Sequence, residues 1–331
     1  MSKEQRDAID AALRAAPFDL EQSTQEHRKT FDGFALQPYP ADVSAAEVSL
    51  GGVRAIELRV EGQATGDPVR SVDVLYFHGG GYVAGSARTG THLAAELARR
   101  VGGRALSVDY RLAPEHPYPA AVEDGVAAYA GLLESGASPD RVVLAGDSAG
   151  GGLAVATLLA ARERGLPQPA AVAAFSPWAD ITRSGVSMRS KDGADPLFSY
   201  DAMGWYAGRY MPDGDRSAPL ASPVFATLAG LPPLLIQVGS HEVLLDDAVR
   251  LAANAARDDV EVSLQVAPEG THVFQLHFGT LDEAGEAIDE IARFFQRHLG
   301  LCPNECPSLT EYVRTGRRNM LTLIRGWRYF A

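Results

Sequence analysis

Short apolar runs alternate with longer amphipathic stretches along most of this chain. Runs at 53–60, 72–77, 105–108, 142–145, 171–175, 234–238 and 260–266 read as strands. Between them, 91–101, 120–133, 149–164, 246–256 and 284–298 carry apolar residues at helical spacing. This βαβα order predicts an α/β protein: a mostly parallel sheet with helices on both faces. The strands are short and nearly all apolar, as strands buried on both sides must be. No internal repeat is present.

Three segments break the alternation. Residues 1–44 combine a charged, helix-like stretch with a Pro-containing loop. Residues 180–219 separate two strands by far more than the usual two to six or so residues, and carry Trp205, Tyr206 and Tyr210. Both are expected to form parts of a helical cap over the sheet. Residues 301–331 hold five arginines, two glutamates and the only cysteines, Cys302 and Cys306. They fit no sheet element and are expected to be an appendage. The expected division is therefore an N-terminal cap segment 1–44, a catalytic core in two parts (45–179 and 220–300), a cap insertion 180–219 and the appendage 301–331.

Composition narrows the function classes. The chain has 331 residues, 46% hydrophobic and 22% charged, ordinary for a globular protein with a sizeable core. A net charge of −12 gives no general basis for nucleic-acid binding. No apolar run approaches the roughly 20 residues of a membrane span, so no stable membrane insertion is expected. The N-terminus lacks the apolar core of a secretory signal, and the main body lacks cysteine, so a cytoplasmic location is expected.

The candidate chemistry begins at Val-Val-Leu-Ala-Gly146-Asp147-Ser148-Ala149-Gly150-Gly151. A strand ending at Ala145 and a helix starting near Ala149 leave almost no room to turn. Gly146 and Gly150 flank Ser148 at the G-x-S-x-G spacing, and the strand–turn–helix context is the one a nucleophilic serine requires. The bland alternative is a helix-capping serine. A second signal, His78-Gly79-Gly80-Gly81-Tyr82, follows a strand, where consecutive glycines let backbone N–H groups converge on a developing oxyanion. Gly79-x-Gly81-x-x-Ala84 also meets a loose dinucleotide fingerprint, with Asp109 ending a later strand. That reading leaves Ser148 unexplained, and the fingerprint normally follows the first strand of its unit.

A serine nucleophile needs a base, and the base needs an orienting acid. Of eight histidines, His78 belongs to the glycine loop, His27, His92 and His298 to helical or peripheral stretches, and His116 to a Pro-rich segment. His241, His272 and His277 remain. Hydrolases of doubly wound topology place acid and then histidine after successive late strands. His272 follows the last strand and precedes the last helix, which favours it over His277, one turn on. In Gly239-Ser240-His241-Glu242-Val243-Leu244-Leu245-Asp246-Asp247, Glu242 comes soonest after its strand. Asp246 and Asp247 open the next helix, where acids favour the positive dipole end. Glu242 is thus favoured over Asp246.

Together, His78-Gly79-Gly80-Gly81, Asp109-Tyr110-Arg111-Leu112-Ala113-Pro114-Glu115, Gly146-Asp147-Ser148-Ala149-Gly150-Gly151 and Ser176-Pro177-Trp178 resemble the bacterial hormone-sensitive-lipase-like esterases. The branch most similar includes monoterpene ε-lactone hydrolases and metagenomic short-chain esterases. The resemblance covers roughly residues 40–300. It implies the α/β-hydrolase fold, cleavage of short-chain carboxylic esters, and oxyanion donors at the N–H groups of Gly80, Gly81 and Ala149. The family usually carries Asp at the acid position, where this chain has Glu242. The implied triad is Ser148, His272 and Glu242, with no cofactor and no metal. The implied partner is a small-molecule ester or lactone, and a homodimer is one option for assembly. Three rivals are a non-catalytic ligand-binding protein on this fold, the dinucleotide-binding enzyme, and a peptidase on the same fold. Presence of His272 and Glu242 opposes the first, and the glycine loop opposes the last.

Overall fold

The structure is a computed structural model that describes residues 3–15, 19, 21–36, 38–62 and 72–301. The appendage expected at 301–331 lies outside the described residues apart from Leu301, as do Cys302 and Cys306. The chain divides after Leu299 into a large unit and a short C-terminal one. The elements all belong to the large unit. They are, in order, α1 (Lys3–Arg14), α2 (Thr24–Ala35), β1 (Val43–Leu50), β2 (Val53–Val60), β3 (Asp73–Phe77), α3 (Ala87–Val101), β4 (Arg104–Val108), α4 (Ala120–Glu134), β5 (Val142–Asp147), α5 (Ala149–Glu163), β6 (Ala171–Phe175), α6 (Ser187–Ser190), α7 (Tyr200–Tyr210), β7 (Leu234–Gly239), α8 (Leu245–Arg257), β8 (Val262–Ala267) and α9 (Asp282–His298).

Eight strands form one sheet in the order β1-β2-β4-β3-β5-β6-β7-β8. β2 pairs antiparallel with β1 and β4, and from β4 to β8 every pairing is parallel. The central strands β3, β5, β6 and β7 are buried at every position, which is why they read as unbroken apolar runs. Two cores sit on opposite faces. One gathers apolar side chains of α4, α5 and α8, the other those of α3 and α9.

The chain leaves β3 toward β4 on one side and then crosses to β5 on the other. This reversal opens a crevice at the C-terminal ends of β3 and β5, the usual ligand position in such sheets. The sequence missed β1. Most of its positions are solvent-exposed, so Val-Ser-Ala-Ala-Glu-Val-Ser-Leu shows little hydrophobic alternation. α3 begins four residues earlier than its apolar pattern, because Ser86 and Thr89 form a reciprocal capping box at its start. Residues 180–219 hold α6 and α7, and residues 1–44 hold α1 and α2. Among the described residues, no helix is long and apolar enough to cross a membrane.

Candidate active site

Ser148 sits between β5 and α5 with φ 55° and ψ −120°. A non-glycine residue rarely adopts such a backbone, and the surroundings must hold it there. Its N–H donates to Phe175 O at 2.8 Å, and its carbonyl accepts from Trp178 N at 2.9 Å and Gly152 N at 3.2 Å. The flanking glycines are required by close approach. A Cβ on Gly150 would lie 2.0 Å from Phe77 O, and one on Gly146 would lie 2.3 Å from Gly150 O. The Ser148 side chain does not cap α5, so the hydroxyl is not spent on the helix.

The glycine loop lies beside this elbow. Asp147 accepts from Tyr76 Oη at 2.6 Å and from Gly79 N at 3.1 Å, which ties the loop after β3 to the end of β5. Burial raises the Asp147 carboxyl above the usual carboxylate range. His78 stacks on Tyr110 with ring centroids 4.2 Å apart, and its Nδ1 contacts Gly79 O at 2.7 Å. Burial pushes its pKa down to about 4, so the ring is neutral at pH 7. Gly80 O accepts from Val83 N and Ala84 N, closing the turn. Among the described residues, the N–H groups of Gly80, Gly81 and Ala149 donate to no protein group. All three follow the C-terminal ends of β3 and β5, and Ala149 adds the positive end of the α5 dipole.

The structure joins His272 to Glu242. Nδ1 lies 2.8 Å from Glu242 Oε2, with the two residues 6% and 0% exposed. A carboxylate only accepts, so Nδ1 carries the proton and Nε2 is left as an acceptor. Glu242 Oε1 accepts from Gly239 N and from Ser176 Oγ, the latter at 2.7 Å. Burial raises the Glu242 carboxyl. For His272, burial disfavours the charged ring. The Glu242 hydrogen bond and the charges of Glu242, Asp195 and Asp147 outweigh it and lift the pKa above the ordinary histidine value. The loops after β7 and β8 are fastened together by Ser240 N to Ala267 O at 2.9 Å and His241 N to Gly270 O at 3.0 Å. Among the described residues, no hydrogen bond joins Ser148 Oγ to His272; such contacts often tighten only with substrate bound.

Ser176 is a residue whose role the sequence reading missed. It belongs to the quoted Ser-Pro-Trp motif, but no function attached to it there. Its hydroxyl donates to Glu242 and accepts from Val273 N at 3.0 Å. It thereby links Glu242 to the backbone just after His272, where Val273 holds φ 48°. Asp246 instead accepts from Ser187 N at 3.0 Å, and Asp247 from Ala179 N and Asp180 N. His277 ends a 3-10 turn, Phe274–His277, where burial lowers its pKa. Phe274 packs with Leu281, Ala284 and Ala287 under α9. The ring that meets the imidazole is Phe198, edge-on at 4.9 Å. Tyr206 of α7 abuts Gly81, where an added Cβ would lie 2.2 Å from its ring, and its hydroxyl is hydrogen-bonded to His27 Nε2 of α2 at 2.7 Å.

The dinucleotide alternative loses its acid. Asp109 Oδ1 accepts from Ala87 N at 3.0 Å, so it occupies the start of α3, where a pyrophosphate would sit. Among the described residues, no cluster of three or more His, Cys, Asp or Glu side chains is placed to hold a metal ion.

A parallel sheet with its crevice at β3 and β5, and a strained serine elbow at that crevice, are features of an α/β hydrolase. The comparison with known proteins agrees and goes further. Residues 74–276 match a family model described as the alpha/beta hydrolase fold. An acetyl-hydrolase of Streptomyces hygroscopicus is 45% identical over 227 residues, 69% of this chain and 76% of that protein. An esterase of Acinetobacter venetianus is 35% identical over 260 residues, 78% and 84% of the two chains. Among solved structures, an esterase from the bacterial hormone-sensitive lipase family superposes with a TM-score of 0.84 at 39% identity, covering 91% of this chain and all of that one. The esterase EstE5, soaked with p-nitrophenyl butyrate, gives 0.85 at 38% identity over 90% of this chain and 100% of its own. The chain belongs to the α/β-hydrolase family, among the bacterial hormone-sensitive-lipase-like esterases, and is a carboxylic ester hydrolase.

Proposed function

We propose that this chain is a serine carboxylesterase that hydrolyses short-chain esters through an acyl-enzyme, with Ser148 as nucleophile, His272 as base and Glu242 as orienting acid. The observation that carries the reading is the buried His272–Glu242 pair. It is assembled from the loops after β7 and β8, on the same sheet edge as the Ser148 elbow. His272 Nε2 takes the Ser148 proton as Oγ attacks the ester carbonyl carbon. The negative charge moves to the carbonyl oxygen, where the free N–H groups of Gly80, Gly81 and Ala149 receive it. As the tetrahedral intermediate collapses, the bond to the alkoxy oxygen breaks and His272 returns the proton to the leaving alcohol. Water then repeats both steps on the acyl-enzyme, releasing the acid and restoring Ser148. Glu242 holds the required tautomer and stabilises the imidazolium.

The inserted segment supports an uncharged substrate of modest size, with residues 180–219 and α1–α2 as the cap. It presents the Phe198 ring beside His272 and the Tyr206 ring against Gly81. A related esterase was soaked with p-nitrophenyl butyrate, which makes a four-carbon acyl group the first to test. The test is Ser148→Ala together with labelling by an organophosphate. Loss of turnover with an unchanged melting point, and covalent attachment at Ser148 in the native protein, are expected. Turnover near the native level in Ser148→Ala would end the reading. A chain-length series of nitrophenyl esters run beside a lactone panel identifies the preferred substrate.

A further inference from the structure

A buried carboxylate outside the triad joins the inserted segment to the acid loop. Asp195, 5% exposed, lies in the loop between α6 and α7. Its Oδ1 accepts from Leu197 N at 2.9 Å and Phe198 N at 3.0 Å. Its Oδ2 accepts from Val243 N at 2.9 Å, one residue after Glu242. The same side chain therefore fixes the backbone that carries Phe198, whose ring meets the His272 imidazole edge-on, and the backbone that carries the acid. The charged groups facing Asp195 are His272 after β8, Glu242 after β7, and Arg14 of α1. Arg14 donates from Nε to Asp10 Oδ2 at 2.8 Å and from its two terminal nitrogens to the carbonyls of Gly193 and Ala194, at 3.1 and 2.8 Å. Three backbone N–H groups keep the buried carboxylate hydrogen-bonded.

We propose that Asp195 is a positioning residue for ester hydrolysis, setting the Glu242 loop and the Phe198 ring around the catalytic imidazole with one carboxylate whose charge also favours the imidazolium. The proposal rests on the triad reading. Burial raises the Asp195 carboxyl, and proximity to Asp195 contributes to raising the His272 pKa. Asp195→Asn keeps the size but removes the charge. It also replaces one acceptor by an NH₂, so one of the three N–H donors is left facing another donor.

The experiment measures kcat/KM against pH, with p-nitrophenyl butyrate, for native protein, Asp195→Asn and Asp195→Glu. It also measures the rate at which paraoxon labels Ser148. Asp195→Asn is expected to lower kcat roughly tenfold or more, as small misplacements of a catalytic group do. It is also expected to move the acid limb to lower pH. Asp195→Glu, which keeps the charge, should hold the limb near its native position. A purely structural role would lower the melting point and kcat but leave the limb in place in both variants, and that result overturns the proposal. If Asp195→Asn does not fold, Phe198→Leu tests the other end of the link. Matched losses in kcat and in paraoxon labelling support positioning of the base. A change in KM and ester preference alone, at native labelling rate, overturns it. Absence of paraoxon labelling in the native protein would instead overturn the triad reading itself.

Discussion

On the proposed triad, Glu242→Gln isolates what the acid contributes, because the hydrogen bonds around it dictate how the amide must sit. Oε1 receives protons from Gly239 N and from Ser176 Oγ. Gly239 N can only donate, so an acceptor must stay at the Oε1 position, where Ser176 Oγ can also go on donating while it accepts from Val273 N. The amide oxygen of glutamine therefore takes the Oε1 position, and its NH₂ takes that of Oε2, facing His272 Nδ1. Two donors cannot face each other, so Nδ1 becomes the acceptor and the ring proton moves to Nε2. The imidazole then presents a proton to Ser148 where it should accept one, and the imidazolium loses its buried counter-charge. The expected loss in kcat is roughly 10³- to 10⁴-fold, about 4–5.5 kcal/mol of transition-state stabilisation. The fold should survive, because the shape is kept and all three hydrogen bonds persist, the one to His272 with its direction reversed. Release of p-nitrophenol across pH, with a melting curve for each variant, measures this. Asp246→Asn is the matched control: its amide oxygen still accepts from Ser187 N, so kcat/KM should stay within about threefold. If Glu242→Gln were nearly silent and Asp246→Asn crippling, the acid would be Asp246 and this reasoning would be wrong.

His272→Ala should cost more than Glu242→Gln, whereas His277→Ala should cost little, since His277 lies on the turn beyond the hydrogen-bonded pair; the reverse order in kcat would relocate the base. On the proposed triad, activity is expected to fall as pH drops through the His272 pKa, because a protonated ring cannot take the serine proton. Glu242 and its acidic neighbours raise that pKa, so the midpoint of kcat/KM should lie above the ordinary histidine value, and activity rising toward pH 4 would contradict a histidine base. Gly81→Ala should lower kcat by roughly 10²-fold, the scale of losing one oxyanion donor, because φ is +61° and the new Cβ meets the Tyr206 ring; native kcat in that variant would remove Gly81 from the oxyanion site.

Some of this protein is legible in residues that are neighbours in the chain. An apolar run long enough for one strand, an amphipathic run long enough for one helix, and a glycine that must turn are local facts. The alternation of elements, the elbow at Ser148 and the loop at Gly79–Gly81 could therefore be read directly. The placement of Glu242 and His272 needed one further rule, the order of loops after late strands, and β7 pairing with β8 brings those loops together. β1 escaped because an edge strand with both faces largely wet carries no strong pattern. Ser176, Asp195 and Phe198 were beyond reach for a different reason. Ser176 meets Glu242 across 66 residues and Val273 across 97, and Asp195 meets Val243 across 48. Such pairings depend on which strands lie side by side and where a long insertion folds back. Only packing decides that, because a buried carboxylate or hydroxyl takes whichever donors and acceptors the completed fold sets beside it.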